Sequence, residues 1–138
     1  MSDNGMPPGH EDPSLDLLRP YITRSAMALR AVGVELEQSW LDPSGPRDAT
    51  IRYLKDGQSH ALVWDEESGW RLGGFVSGRP GERTRLRDPR YLGGELLLAP
   101  GEVARRVVDG ESEPYRRFRD HDEDPERFDD TVRSVFTE

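Results

Sequence analysis

Five arginines, Arg79, Arg83, Arg85, Arg87 and Arg90, stand within twelve residues of a chain whose formal net charge is -8. Guanidinium groups at that density create a local positive potential and offer forked donors that match phosphate and carboxylate oxygens. The chemistry they suggest is anion binding, with loop 79–90 holding a phosphate- or carboxylate-bearing small molecule, as a binding domain or as part of an enzyme. The competing reading is a solvated connection, since Ser77-Gly78 and Pro80-Gly81 interrupt the run.

Other chemical spacings fail on particular residues. Asp120, Asp122 and Asp124 occupy the first, third and fifth positions of a calcium loop, but Pro125 replaces the turn glycine and Thr131 the bidentate glutamate. An acidic linker explains them. His10, His60 and His121 lie in separate segments without zinc spacing. Only His60, beside Tyr53, falls inside the expected fold, where a hydrogen-bonded surface role is preferred to an acid or base. Gly73-Gly74 and Gly93-Gly94 lack the Lys-Ser/Thr of a phosphate loop and read as turn, bulge or close-packing glycines. Asp65-Glu66-Glu67, set between Trp64 and Trp70, has no opposing carboxylate for glycoside chemistry. The sequence therefore predicts no catalytic residue, no metal site and no cofactor.

Composition narrows the class further. With 138 residues, 33% of them hydrophobic, and a mean hydropathy of -0.82, the chain is expected to form one domain with tails around a modest core. The absence of cysteine removes disulfide and thiolate chemistry. No signal peptide and no membrane-length apolar run are present, so a cytoplasmic protein without a membrane partner is expected. An acidic chain of pI near 4.9 repels the nucleic-acid backbone, which argues against a nucleic-acid partner.

The elements that must position any site are more legible. Asp56-Gly57 suits a type I′ hairpin turn, and counting outward pairs Lys55 with Gln58, Tyr53 with His60, Ile51 with Leu62 and Ala49 with Trp64. An odd-length loop around Glu66 to Gly69, with Gly69 left-handed, then places Trp70 and Leu72 on the Trp64 face. That face is the predicted core; Arg52, Leu54, Ala61, Val63 and Phe75 belong to the other. Upstream, Asp12 caps and Pro13 begins a helix with Leu15, Leu18, Ile22, Ala26, Leu29 and Val32 inward, bent at Pro20 and stopped at Gly33. Residues 34–41 alternate as a strand, with Val34, Leu36 and Trp40 on one side. After a connection at 77–81 and a short extended stretch at 84–86, Pro100 begins a helix with Val103, Ala104, Val107 and Val108 inward. Asp124-Pro125 starts a last helix, striped by Phe128, Val132, Val135 and Phe136, too short to stand alone in water.

The expected architecture is α+β: an N-terminal helix packed on an antiparallel meander of about four strands, a short helix, and an acidic tail with an amphipathic C-terminal helix. Residues 1–11 are expected to be disordered, 12–110 to form the domain, and 111–138, with ten acids against five arginines, the tail.

The succession of Gly33-Val34, Leu62-Val63-Trp64-Asp65-Glu66, Gly69-Trp70, Tyr91-Leu92-Gly93-Gly94 and Pro100-Gly101-Glu102-Val103-Ala104-Arg105 resembles a family of small actinobacterial proteins classified only as a domain of unknown function. The resemblance implies an α+β fold over residues 15–108 and no activity. The excess of arginine over Lys55, the one lysine, agrees with such a source. Function must then be read from surfaces. The leading expectation is a non-enzymatic protein-interaction module, acting as regulator, adaptor or immunity-type partner. It would bind a protein or a second copy of itself through Leu54, Val63 and Phe75 on the sheet and Phe128, Val132, Val135 and Phe136 on the last helix. The alternative is the anion-binding domain of loop 79–90.

Overall fold

The computed structural model describes residues 5–41 and 43–136. In chain order it contains α1 (Pro13–Asp16), α2 (Arg19–Ala31), β1 (Glu35–Leu41), β2 (Asp48–Lys55), β3 (Gln58–Asp65), β4 (Gly69–Arg79), β5 (Glu82–Tyr91), α3 (Pro100–Asp109) and α4 (Pro125–Phe136). The strands form one antiparallel meander in the order β1-β2-β3-β4-β5 with helices beside it, an α+β fold.

Local turn chemistry sets the register. Asp56 and Gly57 have φ values of 54° and 78°, as a type I′ turn requires, and Ile51 faces Leu62 while Tyr53 faces His60. Gly69, at φ 76°, closes the next hairpin so that Trp64 faces Trp70 and Leu62 faces Leu72. Ile51, Leu62, Trp64 and Trp70 are buried against Ile22 and Leu29 of α2 and Val103 of α3. The polar edges of these aromatics are satisfied: Trp70 Nε1 donates to the Tyr21 hydroxyl at 2.9 Å, which donates to the Leu98 carbonyl at 2.6 Å, and Trp64 Nε1 donates to the Leu96 carbonyl at 2.8 Å.

The sheet has five strands rather than about four. Residues 79–90, expected as a loop, are the turn and returning strand of the β4–β5 hairpin. β5 is an edge strand carrying mostly charged residues, as edges do to avoid further pairing, and that composition disguises it. Register shifts beyond Leu72, Phe75 and Ser77 bend the hairpin, and its outer half folds across the second sheet face. There the Thr50 and Thr84 hydroxyls meet at 2.7 Å. Val63 and Ala61 are consequently buried.

Several other expectations change. The first helix is two helices, not one bent one, because Pro20 occupies the first turn of α2, where its missing N–H leaves no gap. A bulge between Leu36 and Gln38 inserts one residue and reverses the alternation, so Leu36 packs towards the helices while Trp40 pairs with Thr50 on the other face. Val32 and Val108 end their helices exposed instead of inward. Within the N-terminal segment, residues 1–4 lie outside the described residues; Met6 packs on the core and Pro7 is buried. α4 lies on its own domain, with Val132 in the common core and the Phe128 ring stacked on Trp64 at 6.5 Å.

Candidate anion-binding groove

The five arginines of residues 79–90 divide into three kinds. Arg83 staples the hairpin to the loop before β2, donating to the Pro46 and Ser44 carbonyls at 3.0 Å and pairing with Asp48 at 2.9 Å. Arg79 pairs with Glu82 across the exposed turn at 2.9 Å. Arg85, Arg87 and Arg90 form no ion pair among the described residues, and Arg87 and Arg90 converge on one place.

That place is the end of the sheet at the β2–β3 turn. Two adjoining cavities of about 260 and 190 Å³ share Lys55, Leu72 and Arg90 as a common wall. The larger is walled mainly by apolar residues, Val32 and Val34 after α2, Val107 and Val108 of α3 and Leu54 of β2, with Tyr53, Lys55 and Arg90 adding polar surface. The smaller is polar, lined by His60, Gly73, Gly74, Arg87 and Asp88. Asp88 is the one acid in either lining, and Lys55, like the two arginines, has no ion pair among the described residues.

Each of these side chains is placed by an identifiable local cause. Lys55 is the last residue of β2 and faces Gln58 across the turn. His60 sits opposite both Tyr53 and Gly74, its ring centroid 5.7 Å from that of Tyr53 and its Nδ1 3.3 Å from the Gln58 carbonyl. The register shift between Leu72 and Gly74 carries Arg87 over the sheet, and its guanidinium occupies the space a side chain at Gly74 would fill. Gly73 likewise lies against the Arg87 carbonyl, an ideal Cβ falling 2.6 Å from it. These are close-packing glycines. Burial pushes the Tyr53 hydroxyl up to about 12, opposed by the charge of Arg90, so it stays a neutral donor at neutral pH. It has no hydrogen-bond partner among the described residues.

The expected partner-binding residues are mostly engaged within the chain. Val63 is buried by the folded hairpin and Phe75 lies beneath the Arg52 guanidinium at 4.3 Å. Phe128 and Val132 are taken up by α4 docking, whereas Val135 is exposed; the side chain of Phe136 lies outside the described residues. Leu54 alone of the sheet residues lines the groove. The sheet face and helix stripe seemed free in sequence because both of their covers, the bent hairpin and the domain itself, come from long-range packing.

The opposite end of the sheet is also rich in charge, and there the buried charges are paired. Arg47, 5% exposed, pairs with Glu66 and with Asp129 of α4, each at 2.7 Å. Arg119 approaches Glu66 at 3.4 Å, and His121 Nδ1 lies 2.9 Å from Glu67. A hydrogen bond with His121, assisted by Arg117, holds the Glu67 carboxyl down at about 2. Burial raises Asp48 to about 6 despite the opposing charges of Arg83 and Arg71. Among the described residues no three metal-ligating side chains converge, and no helix is long and apolar enough to cross a membrane.

Lys55, His60, Val32 and Val107 were not singled out by sequence reasoning as a site. The available signals were a lone lysine flanking a tight turn and valines in the last turns of two helices; what joins them is the packing of α2 and α3. Comparison with known proteins matches residues 21–109 to the model of a family described as "Family of unknown function (DUF6292)". No curated protein and no solved structure matches the chain.

Proposed function

The chain belongs to this family of unknown function, and from the geometry of its groove we propose that it is a non-enzymatic binding module for an anionic ligand. The observation that carries this reading is the gathering of Lys55, His60, Arg87 and Arg90 around adjoining cavities, with none of the three obligate cations ion-paired among the described residues, on a chain of net charge -8. An acidic protein has carboxylates to spare for pairing; cations kept apart from them are available to an external anion. A cleft with an apolar wall and a few convergent polar groups is the usual form of a small-molecule site.

A second reading, the protein-interaction module, draws support from Val32 and Val108, 51% and 58% exposed beside the groove. An acidic partner segment with an apolar anchor would meet both features. A cytoplasmic setting and an actinobacterial source belong to the same proposal, supported by the cysteine-free composition and the single lysine among 19 basic residues.

Thermal unfolding with inorganic phosphate and with citrate tests the anion reading, because a ligand that binds only the folded state raises Tm with concentration. The wild-type chain is expected to respond, and the triple variant Lys55→Gln, Arg87→Gln, Arg90→Gln is not. An equal response from the variant moves the site elsewhere. Silence from the wild type towards both these anions and organic carboxylates removes the proposal.

A further inference from the structure

We propose that the groove's ligand is an amphiphilic anion, a carboxylate or phosphate carried on a short hydrocarbon or aromatic body and bound as a free solute. This rests on the anion-binding reading above and adds to it the chemical class of the ligand.

The two cavities differ in character although they share a wall. A simple inorganic anion would use the smaller one and leave the larger unexplained. The larger, about 260 Å³, is walled by Val32, Val34, Leu54 and Val107, with Lys55 and Arg90 at its junction with the smaller. Together the cavities reach the lower part of the range of about 300–1,000 Å³ occupied by small-molecule sites.

The helix ends give the ligand a direction. α2 ends at Ala31 and α3 at Asp109, so the pocket lined by Val32, Gly33, Val107 and Val108 lies beside the C-terminal last turns of two helices, the negative ends of their dipoles. A negative charge is disfavoured on that side and favoured beside Lys55 and Arg90. The apolar body therefore lies between the helix ends and the anionic head lies at the shared wall, where Arg87 extends the positive field.

Tyr53 adds a donor to the wall of the larger cavity. It is 3% exposed, lines the larger cavity, and its hydroxyl has no partner within the described chain. The hydroxyl is open to water at the mouth of the cavity, where a ligand oxygen would accept from it in water's place. With burial holding its proton, the hydroxyl donates and adds no negative charge against the head group.

Two-dimensional NMR of the full chain, titrated with octanoate, acetate, inorganic phosphate, 1-octanol and octyltrimethylammonium, tests the inference. Octanoate is expected to shift the amides of Val34, Leu54 and Val107 and to bind at least about tenfold tighter than the other four probes. Arg90→Gln is expected to weaken octanoate about tenfold, the loss of one charge-assisted contact. Tyr53→Phe is expected to weaken it severalfold while the spectrum stays folded. Acetate or phosphate binding as tightly as octanoate keeps the anion site and overturns the amphiphile. Octanol or the ammonium binding as tightly overturns the assigned role of the head group. No response to any probe overturns both readings. Sedimentation with phosphatidylglycerol vesicles that octanoate fails to reverse overturns a free solute in favour of a lipid surface.

Discussion

The two ends of the sheet handle charge in opposite ways. At the β3–β4 end, Arg47, Glu66, Asp129 and Arg119 form a buried network that ties α4 to the strands, and Trp64 and Phe128 stack beside it. At the β2–β3 end, Lys55, Arg87 and Arg90 face cavities and have no carboxylate partner among the described residues. Paired buried charges hold their neighbours in place because separating them strands one charge in a poor solvent. Unpaired cations at a cavity contribute little to folding and keep their interaction energy for something else. The first end is where the domain is fastened; the second is where it is available.

That contrast predicts unequal sensitivity to substitution. Glu66→Ala should be the most damaging change, at about 3–5 kcal/mol, since it leaves Arg47 and Arg119 facing each other with one answering carboxylate fewer. Trp64→Ala belongs in the same range of about 3–5 kcal/mol, through the cavity it opens beneath Tyr21 and Phe128. Chemical denaturation measures both, and midpoints near wild type would break the distinction between the two ends.

Asp48 sharpens it through pH. Its folded-state value, raised from 3.8 to about 6 by burial, means that the native state binds the proton more tightly than the unfolded chain. Its contribution to stability therefore falls as pH rises from about 4 to about 6 and is flat above. Asp48→Asn removes this dependence, so the stability of the variant relative to wild type should climb across that window by at most roughly 3 kcal/mol. Arg83, Arg71 and Asp65 surround the group and set the residual slope. Urea titrations at pH 4, 5, 6 and 7 give the difference directly; a constant difference would show that Asp48 titrates alike in the folded and unfolded chain.

Val132→Ala tests how firmly α4 is fastened. Losing two buried methyl groups and leaving a small cavity should cost about 2 kcal/mol, seen as a lower unfolding midpoint for the whole chain. A local loosening of α4, with the strands unaffected in hydrogen exchange, would instead mark the helix as a separate unit. At the open end, Lys55→Gln, Arg87→Gln and Arg90→Gln should each stay within about 0.5 kcal/mol of wild type, as surface changes usually do. A large loss from any one of them would place that residue among the structural cations, with Arg83.

Much of the architecture was readable because it rests on short-range rules. Asp56-Gly57 and Gly69 set positive φ where the turns need it, and from those points the strict two-residue alternation of strands assigns every neighbour to a face. Pro13, Pro100 and Pro125 each stand at the start of a helix, and Gly110 ends α3 in a left-handed conformation. The same rules misplaced Trp40, because the bulge after Leu36 leaves no mark in composition, and a single inserted residue reverses the parity beyond it. β5 escaped for a related reason: an edge strand need not alternate apolar and polar residues, so periodicity is silent there.

The site lay beyond those rules. By itself the sequence determined the turns, the helix starts, the apolar face and an acidic surface with clustered arginines, since each depends on residues within a few positions of one another. Only the tertiary structure decided that Arg83 is a staple while Arg87 and Arg90 have no ion pair among the described residues, that Val63 is covered and that Lys55 and Val107 line one cavity. Those outcomes depend on where the bent β4–β5 hairpin and the ends of α2 and α3 come to rest. Contacts across such distances in sequence are chosen by the packing of whole elements, which no local pattern of side chains encodes.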